Sequence, residues 1–230
     1  MATQWYSVRQ DTLNYLTTAQ KENNVTCLWE RLSPLGFTAE AVAAIAGNME
    51  YEGLLNPGQY EYGYNYSLSA GGGLCGWTPI YDANDTLYQH LKNWCDYYNL
   101  NHEDGDAQCS YINYELTDWN LTNPGNPVER FMPLAYAPDI GMPVNPPITA
   151  SAFIVSTLSP DLLSNYWVCY YERPGRQQLN DTAAGRASAA LNWYSFISGL
   201  PPVPPTPGRT GKLPLWMMVS RKRLYRKRRF

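Results

Sequence analysis

The sequence predicts an α+β fold, mostly helical with one small β-hairpin lobe, followed by a Pro-rich linker and a basic C-terminal tail. Three observations carry that expectation. Apolar residues recur at helical spacing in several stretches, one run of tyrosines alternates with polar residues, and prolines and cations cluster after Leu200. The 230 residues are 44 % hydrophobic, enough for one good-sized core. One main domain over 1–200, a linker over 201–211 and a tail over 212–230 is the simplest partition.

From Val8 to Leu35 the pattern reads as helical, with Leu13, Leu16, Leu28 and Leu32 apolar and Ser33-Pro34-Leu35-Gly36 as the break. Thr38 is a good N-cap for an Ala-rich helix that Gly53 and Asn56-Pro57-Gly58 stop, and Glu40 suits its positive start. The apolar stripe of this helix is Val42, Ile45, Ala46 and Met49, and Glu50 and Glu52 project onto opposite edges of it. Carboxyls at the C-terminal end of a helix, in partly apolar surroundings, tend to keep their protons, as a general acid must. The plainer reading is two solvated residues at a helix end.

Between Gly58 and Gly73, Tyr60, Tyr62, Tyr64 and Tyr66 alternate with Glu61, Gly63, Asn65 and Ser67, which predicts a hairpin. Helices are expected over Leu87–Tyr98, Tyr111–Trp119, Leu158–Tyr171 and Asp181–Ile197, with a polar loop over Asn99–Gln108. Asp139–Thr149 reads as an irregular, Pro-rich insertion.

The net charge of -3 hides an asymmetry. Nine of the 17 Lys and Arg lie from Arg209 onward and no acidic residue lies beyond Leu200, so the body carries -12 and the linker and tail together +9. Such a tail can take nucleic acid, an anionic surface or an acidic partner, or act only as a solubilising tail. No cofactor or metal is expected, because there is no C-x-x-C pair, nucleotide-binding glycine loop or His-Glu-x-x-His signature. The five cysteines fit either two disulfides and a thiol or five buried thiols. No apolar run is long enough to span a membrane, and the start Met-Ala-Thr-Gln-Trp lacks the features of a signal peptide.

Gly47-Asn48-Met49-x-x-Glu52, then Asn56-Pro57, then Gly73-Leu74-x-x-Trp77-Thr78 resembles the tail-associated lysozyme domain of bacteriophages, a family of peptidoglycan muramidases. Tyr171-Glu172-Arg173-Pro174-Gly175, followed by Arg186, Ala187 and Trp193-Tyr194, is similar to that family's closing helix pair. The resemblance implies a lysozyme-like division into a helical lobe and a β-lobe. It also implies a place in the virion, in the phage tail, with peptidoglycan as substrate and other tail or virion proteins as partners.

Position by position it selects Glu52 over Glu50 as the catalytic acid, a choice that helix geometry leaves open. Glu61 in the expected hairpin is the candidate second catalytic group, with Asp82 next. Asn48, Tyr60, Gly73, Trp77 and Thr78 are the candidate substrate-binding residues, since tyrosines beside a sugar cleft are either structural or stacking platforms. The family usually has Ser after the glutamate and Gln before the tryptophan, where this chain has Gly53 and Gly76. Two other functions fit the same sequence. Cys75 with His90 or His102 would suit a Cys-His amidase or endopeptidase acting on the peptide stems, and a lysozyme fold without chemistry would serve as a wall-binding tail component.

Overall fold

The computed structural model describes residues 3–77, 79–82, 85–117, 131, 144 and 146–203. Thr78 and the tail over 212–230 lie outside these residues, as do most of the linker and much of the Pro-rich insertion. Helix α1 (Thr18–Leu32) opens on a capping box. Thr17 Oγ1 accepts from the Gln20 N–H, and the Gln20 side-chain oxygen accepts from the Thr17 N–H. Helix α2 (Ala39–Glu52) is capped by Thr38, whose Oγ1 accepts from the Ala41 N–H at 3.2 Å. Gly53 ends it, and Leu54 and Leu55 follow at φ 55° and 58°, a left-handed reversal that side chains rarely adopt.

Every residue from Ala41 to Met49 is buried, so α2 is surrounded and not merely amphipathic. Its Ala- and Gly-rich surface lets neighbours approach from all sides. The chain continues through α3 (Leu87–Tyr98), α4 (Gly105–Thr117), α5 (Ala150–Ile154), α6 (Pro160–Trp167) with a π-turn over Val168–Glu172, and α7 (Arg176–Ser198). Helices α6 and α7 carry the main packing against α2. The seam of α7 is Leu179, Ala183, Arg186, Ala190, Trp193 and Ile197, alternating steps of four and three. The closest approach falls at Gly47, where a Cβ would stand 2.6 Å from the Ala190 nitrogen and 2.7 Å from the Arg186 carbonyl oxygen.

The expected β-lobe is not there, and the fold is helical. Between Gly63 and Gly76, six residues have positive φ: Gly63, Asn65, Tyr66, Gly71, Gly73 and Gly76. A chain that reverses so often cannot extend into paired strands. The tyrosine segment is a succession of turns with two isolated bridges, Gln59 to Gln10 of the preceding chain and Tyr60 to Gly72. The only strands among the described residues are Pro79–Asp82 and Asp85–Thr86, a short antiparallel pair that adjoins α3 and makes no lobe.

The helix expected from Val8 begins only at Thr18, and an extended strap precedes it. Every second residue of the strap has its backbone held by a partner. The Asn24 amide accepts from Tyr6 N–H at 2.7 Å and donates to Tyr6 C=O at 2.8 Å, and the Asn56 amide does the same for Val8 at 2.9 and 2.7 Å. Gln10 donates to the Gly58 carbonyl and accepts from the Tyr60 N–H. Two buried amides thus act as the neighbouring strand, and a helix there would forfeit those bonds. All five cysteines are buried thiols, none in a disulfide.

Candidate active site

Three successive residues at the end of α2 point in three directions about 100° apart, and each meets a different environment. Glu50 is fully engaged. Its Oε1 lies 2.6 Å from Lys21 Nζ, and its Oε2 accepts from Trp193 Nε1 at 3.0 Å. Glu52, on the other flank, forms an ion pair with Arg186 through Oε1. Tyr51 stands between them, 45 % exposed, with the Arg186 guanidinium 5.4 Å from its ring centre.

Arg186 is 1 % exposed, so its charge needs an anion and its N–H groups need acceptors. Nη2 meets Glu52, Nη1 donates to Asn48 Oδ1 at 3.3 Å, and Nε donates to Thr182 Oγ1 at 2.9 Å. Asn48 is itself fixed, donating to Ala44 C=O at 2.9 Å and Ser164 Oγ at 2.9 Å. Helices α2, α6 and α7 therefore lock one another through a single polar chain that ends on Glu52.

The opposite wall is the loop after α2. A Cβ on Gly53 would stand 2.1 Å from the Gly73 carbonyl oxygen, and one on Gly76, at φ +52°, would stand 2.9 Å from Glu52 Oε2. The two glycines that replace the family's Ser and Gln thus sit where this loop presses against the glutamate, with no room for a side chain. Between the walls lies a cleft of about 360 Å³ bordered by Glu52, Tyr60, Glu61, Tyr62, Gly76 and Gln178. Glu61 is an exposed residue at the border of this cleft, and partial burial raises its carboxyl above its usual value. Tyr60 donates from its hydroxyl to Glu103 Oε1 at 2.5 Å. Burial first, then that carboxylate, pushes its phenol up to about 12, so it remains a donor.

Of the residues proposed from the sequence, Glu52, Glu61 and Tyr60 come together at this cleft. Asn48, Gly73 and Trp77 do not face it. Asn48 is the buried link behind Arg186. Gly73, at φ +74°, lets the Trp77 ring approach to within 2.8 Å of where a Cβ would be. Trp77 is fully buried, its Nε1 donating to the Tyr171 hydroxyl at 3.2 Å and Glu115 Oε2 at 3.3 Å. They build the wall and do not line the cleft. Thr78 lies outside the described residues, and so does the side chain of Asp82.

Cys75 is fully buried, so its thiol is closed to the amidase chemistry that the sequence allowed. His102 is half-buried with its ring edge-on to Tyr88 and Nε2 3.3 Å from the Tyr60 hydroxyl. Sequence reasoning missed the role of Arg186. A lone cation three residues from Ala183 and four from Ala190, inside an otherwise apolar seam, was the available signal. Among the described residues no group of three His, Cys, Asp or Glu side chains is placed to hold a metal, and no helix is long and apolar enough to cross a membrane.

The sequence has relatives. Morphogenesis protein 1 of Bacillus phage B103 is 27 % identical over 189 residues, which cover 80 % of this chain and 42 % of that protein. The chain therefore spans less than half of that relative's length. The phage tail lysozyme family matches residues 23–197, a segment holding Glu52, Glu61 and Arg186 and ending one residue short of the end of α7. On that match the chain belongs to the phage tail lysozyme family.

Proposed function

We propose that the chain is a virion muramidase that cuts the glycan strand of peptidoglycan, with Glu52 as general acid. The observation that supports this is the setting of Glu52. It closes a buried helix, a buried guanidinium holds one of its oxygens, and it borders a cleft that also takes Glu61. In the reaction the Glu52 proton passes to the glycosidic oxygen as the C–O bond breaks. Positive charge develops on the sugar ring left behind, and water adds at the anomeric carbon, its proton going to a carboxylate. Arg186 is a positioning residue: by holding Oε1 it fixes the side-chain rotamer and leaves Oε2 for the leaving oxygen. Glu61 faces the developing charge as the second carboxylate.

A reversed division, with Glu61 donating the proton and Glu52 as the second carboxylate beside Arg186, has two observations in its favour: the Glu52–Arg186 ion pair, and the burial that raises the Glu61 carboxyl. The likeness to a phage morphogenesis protein supports a place in the virion among other phage proteins. The linker over 201–211 and the tail over 212–230, with its concentrated positive charge, are read as a docking arm for such a protein, nucleic acid or an anionic surface.

The deciding experiment is reducing-end release from purified sacculi. Glu52→Gln is expected to lower the rate about a hundredfold or more, as loss of a general acid does. Glu50→Gln is expected to do far less, since both Glu50 oxygens are engaged by Lys21 and Trp193. Full activity in Glu52→Gln would refute the assignment.

A further inference from the structure

Two cavities meet at the end of α2. One is the cleft already described. The other, of about 450 Å³, lies on the far side of Tyr51 and is bordered by Tyr15, Lys21, Glu50, Ser188 and Asn192. Tyr51 and Leu54 belong to the walls of both. The two therefore adjoin, with Tyr51 and Leu54 between them.

The strap borders both compartments. Leu13 borders the catalytic one and Tyr15 the other, and these side chains are 57 % and 67 % exposed. Neither is spent on the core. Both precede residue 23, so this flank lies outside the segment that matches the family.

The aromatic rings along the groove are held from beneath and open above. A Cβ on Gly185 would stand 2.0 Å from the Tyr51 hydroxyl, so only glycine there lets the phenol rest on α7, and the Arg186 guanidinium lies against the same ring. Tyr15 has Lys21 Nζ 6.0 Å from its ring centre. Preset aromatic faces beside small polar side chains suit a pyranose chain, which offers C–H faces to the rings and hydroxyl and acetamido groups to Ser188 and Asn192.

We infer that the N-terminal strap is the second wall of an extended glycan groove, in which Tyr51 and Tyr15 hold N-acetylhexosamine units beyond the scissile bond. The inference rests on the glycan-cutting reading above and names where the rest of the strand lies. It makes Tyr15 a residue that sets the preferred length of substrate, supplied by a part of the chain that the family match does not include.

Chitotriose and chitohexaose, titrated into the full chain carrying Glu52→Gln, test it. The hexamer is expected to bind about tenfold more tightly than the trimer, and adding Tyr15→Ala or Tyr51→Ala is expected to remove most of that ratio. Tyr15→Ala should leave the melting temperature and trimer binding as they were, because that side chain projects into solvent. If Glu52→Gln does not fold, the same ratio is read from KM for the two oligomers in the chain with Glu52 intact. A ratio unchanged by both tyrosine substitutions overturns the inference. The muramidase reading fails separately: a wild-type chain that releases no reducing ends, yet loses its length dependence on Tyr15→Ala, keeps the groove and not the hydrolase.

Discussion

The two walls of the cleft are built by opposite means. On the α2–α7 side, position is set by side chains: a buried Arg186 reaches Glu52, Asn48 and Thr182 at once, and Asn48 passes the constraint on to Ser164. On the loop side, position is set by missing side chains, because Gly53 and Gly76 let backbone press against backbone and against the Glu52 carboxylate. The helical wall is therefore sensitive to losing atoms and the loop wall to gaining them. A glutamate held between two such walls can be disturbed from either without being touched.

The sharpest break is expected on the helical wall. Arg186→Ala leaves the Glu52 carboxylate without its cation and Asn48 without its donor, and removal of one partner of a buried pair costs about 3–5 kcal/mol. Chemical denaturation measures that loss, and glycan hydrolysis should fall with it. A melting curve like that of the wild type would show that the polar chain does not hold the helices.

The loop wall gives a paired test. Gly76→Ala places a methyl 2.9 Å from Glu52 Oε2 at φ +52°, and overpacking of this kind costs about 1–3 kcal/mol. Gly63→Ala meets a similar φ of +81° but open space, so only the backbone cost of about 1 kcal/mol applies. Activity should drop for Gly76→Ala and hold for Gly63→Ala. Equal effects would reduce the contrast to backbone strain.

The pH profile of kcat/KM tells the roles of the two carboxylates apart. Partial burial raises the Glu61 carboxyl, so if Glu61 must be ionised, activity falls as pH drops through its raised titration point. Glu61→Gln then removes the acid limb. If Glu61 is the proton donor, its titration sets the alkaline limb instead, and Glu61→Gln abolishes that limb along with most of the rate.

The smallest effect is expected from removing the basic C-terminal residues. Ending the chain at Val203, where the described residues stop, should leave hydrolysis of chitohexaose unchanged and weaken retention on a polyanion such as DNA at low salt. Loss of hydrolysis in a folded, shortened chain would tie the tail to the cleft.

The sequence made α2 and α3 legible because their signals are local. Thr38 and Gly53 mark the ends of α2, and the expected Leu87–Tyr98 helix is found end to end. The tyrosine segment was misread because period-two alternation is shared by a strand and by a series of tight turns. The φ values of Asn65 and Tyr66 that decide between them leave no mark on composition. The strap was misread for a different reason: its leucines fall at helical spacing, and the amides that hold it extended, Asn24 and Asn56, come from elsewhere in the chain. In the site, the motif picked out Glu52, but the motif tryptophan turned out to be a core residue, since spacing does not say which side of a wall a ring occupies.

Arg186 stands 134 residues from Glu52. The Glu52 side chain thus lacks its partner until α7, the last described helix, has docked, and among the described residues no shorter stretch supplies that cation. A chain emerging from the ribosome carries Glu52 early and its partner late, so the site assembles near the end of folding, with a contact of long sequence separation as its final step. For the muramidase proposed above, that order keeps unfinished copies inert.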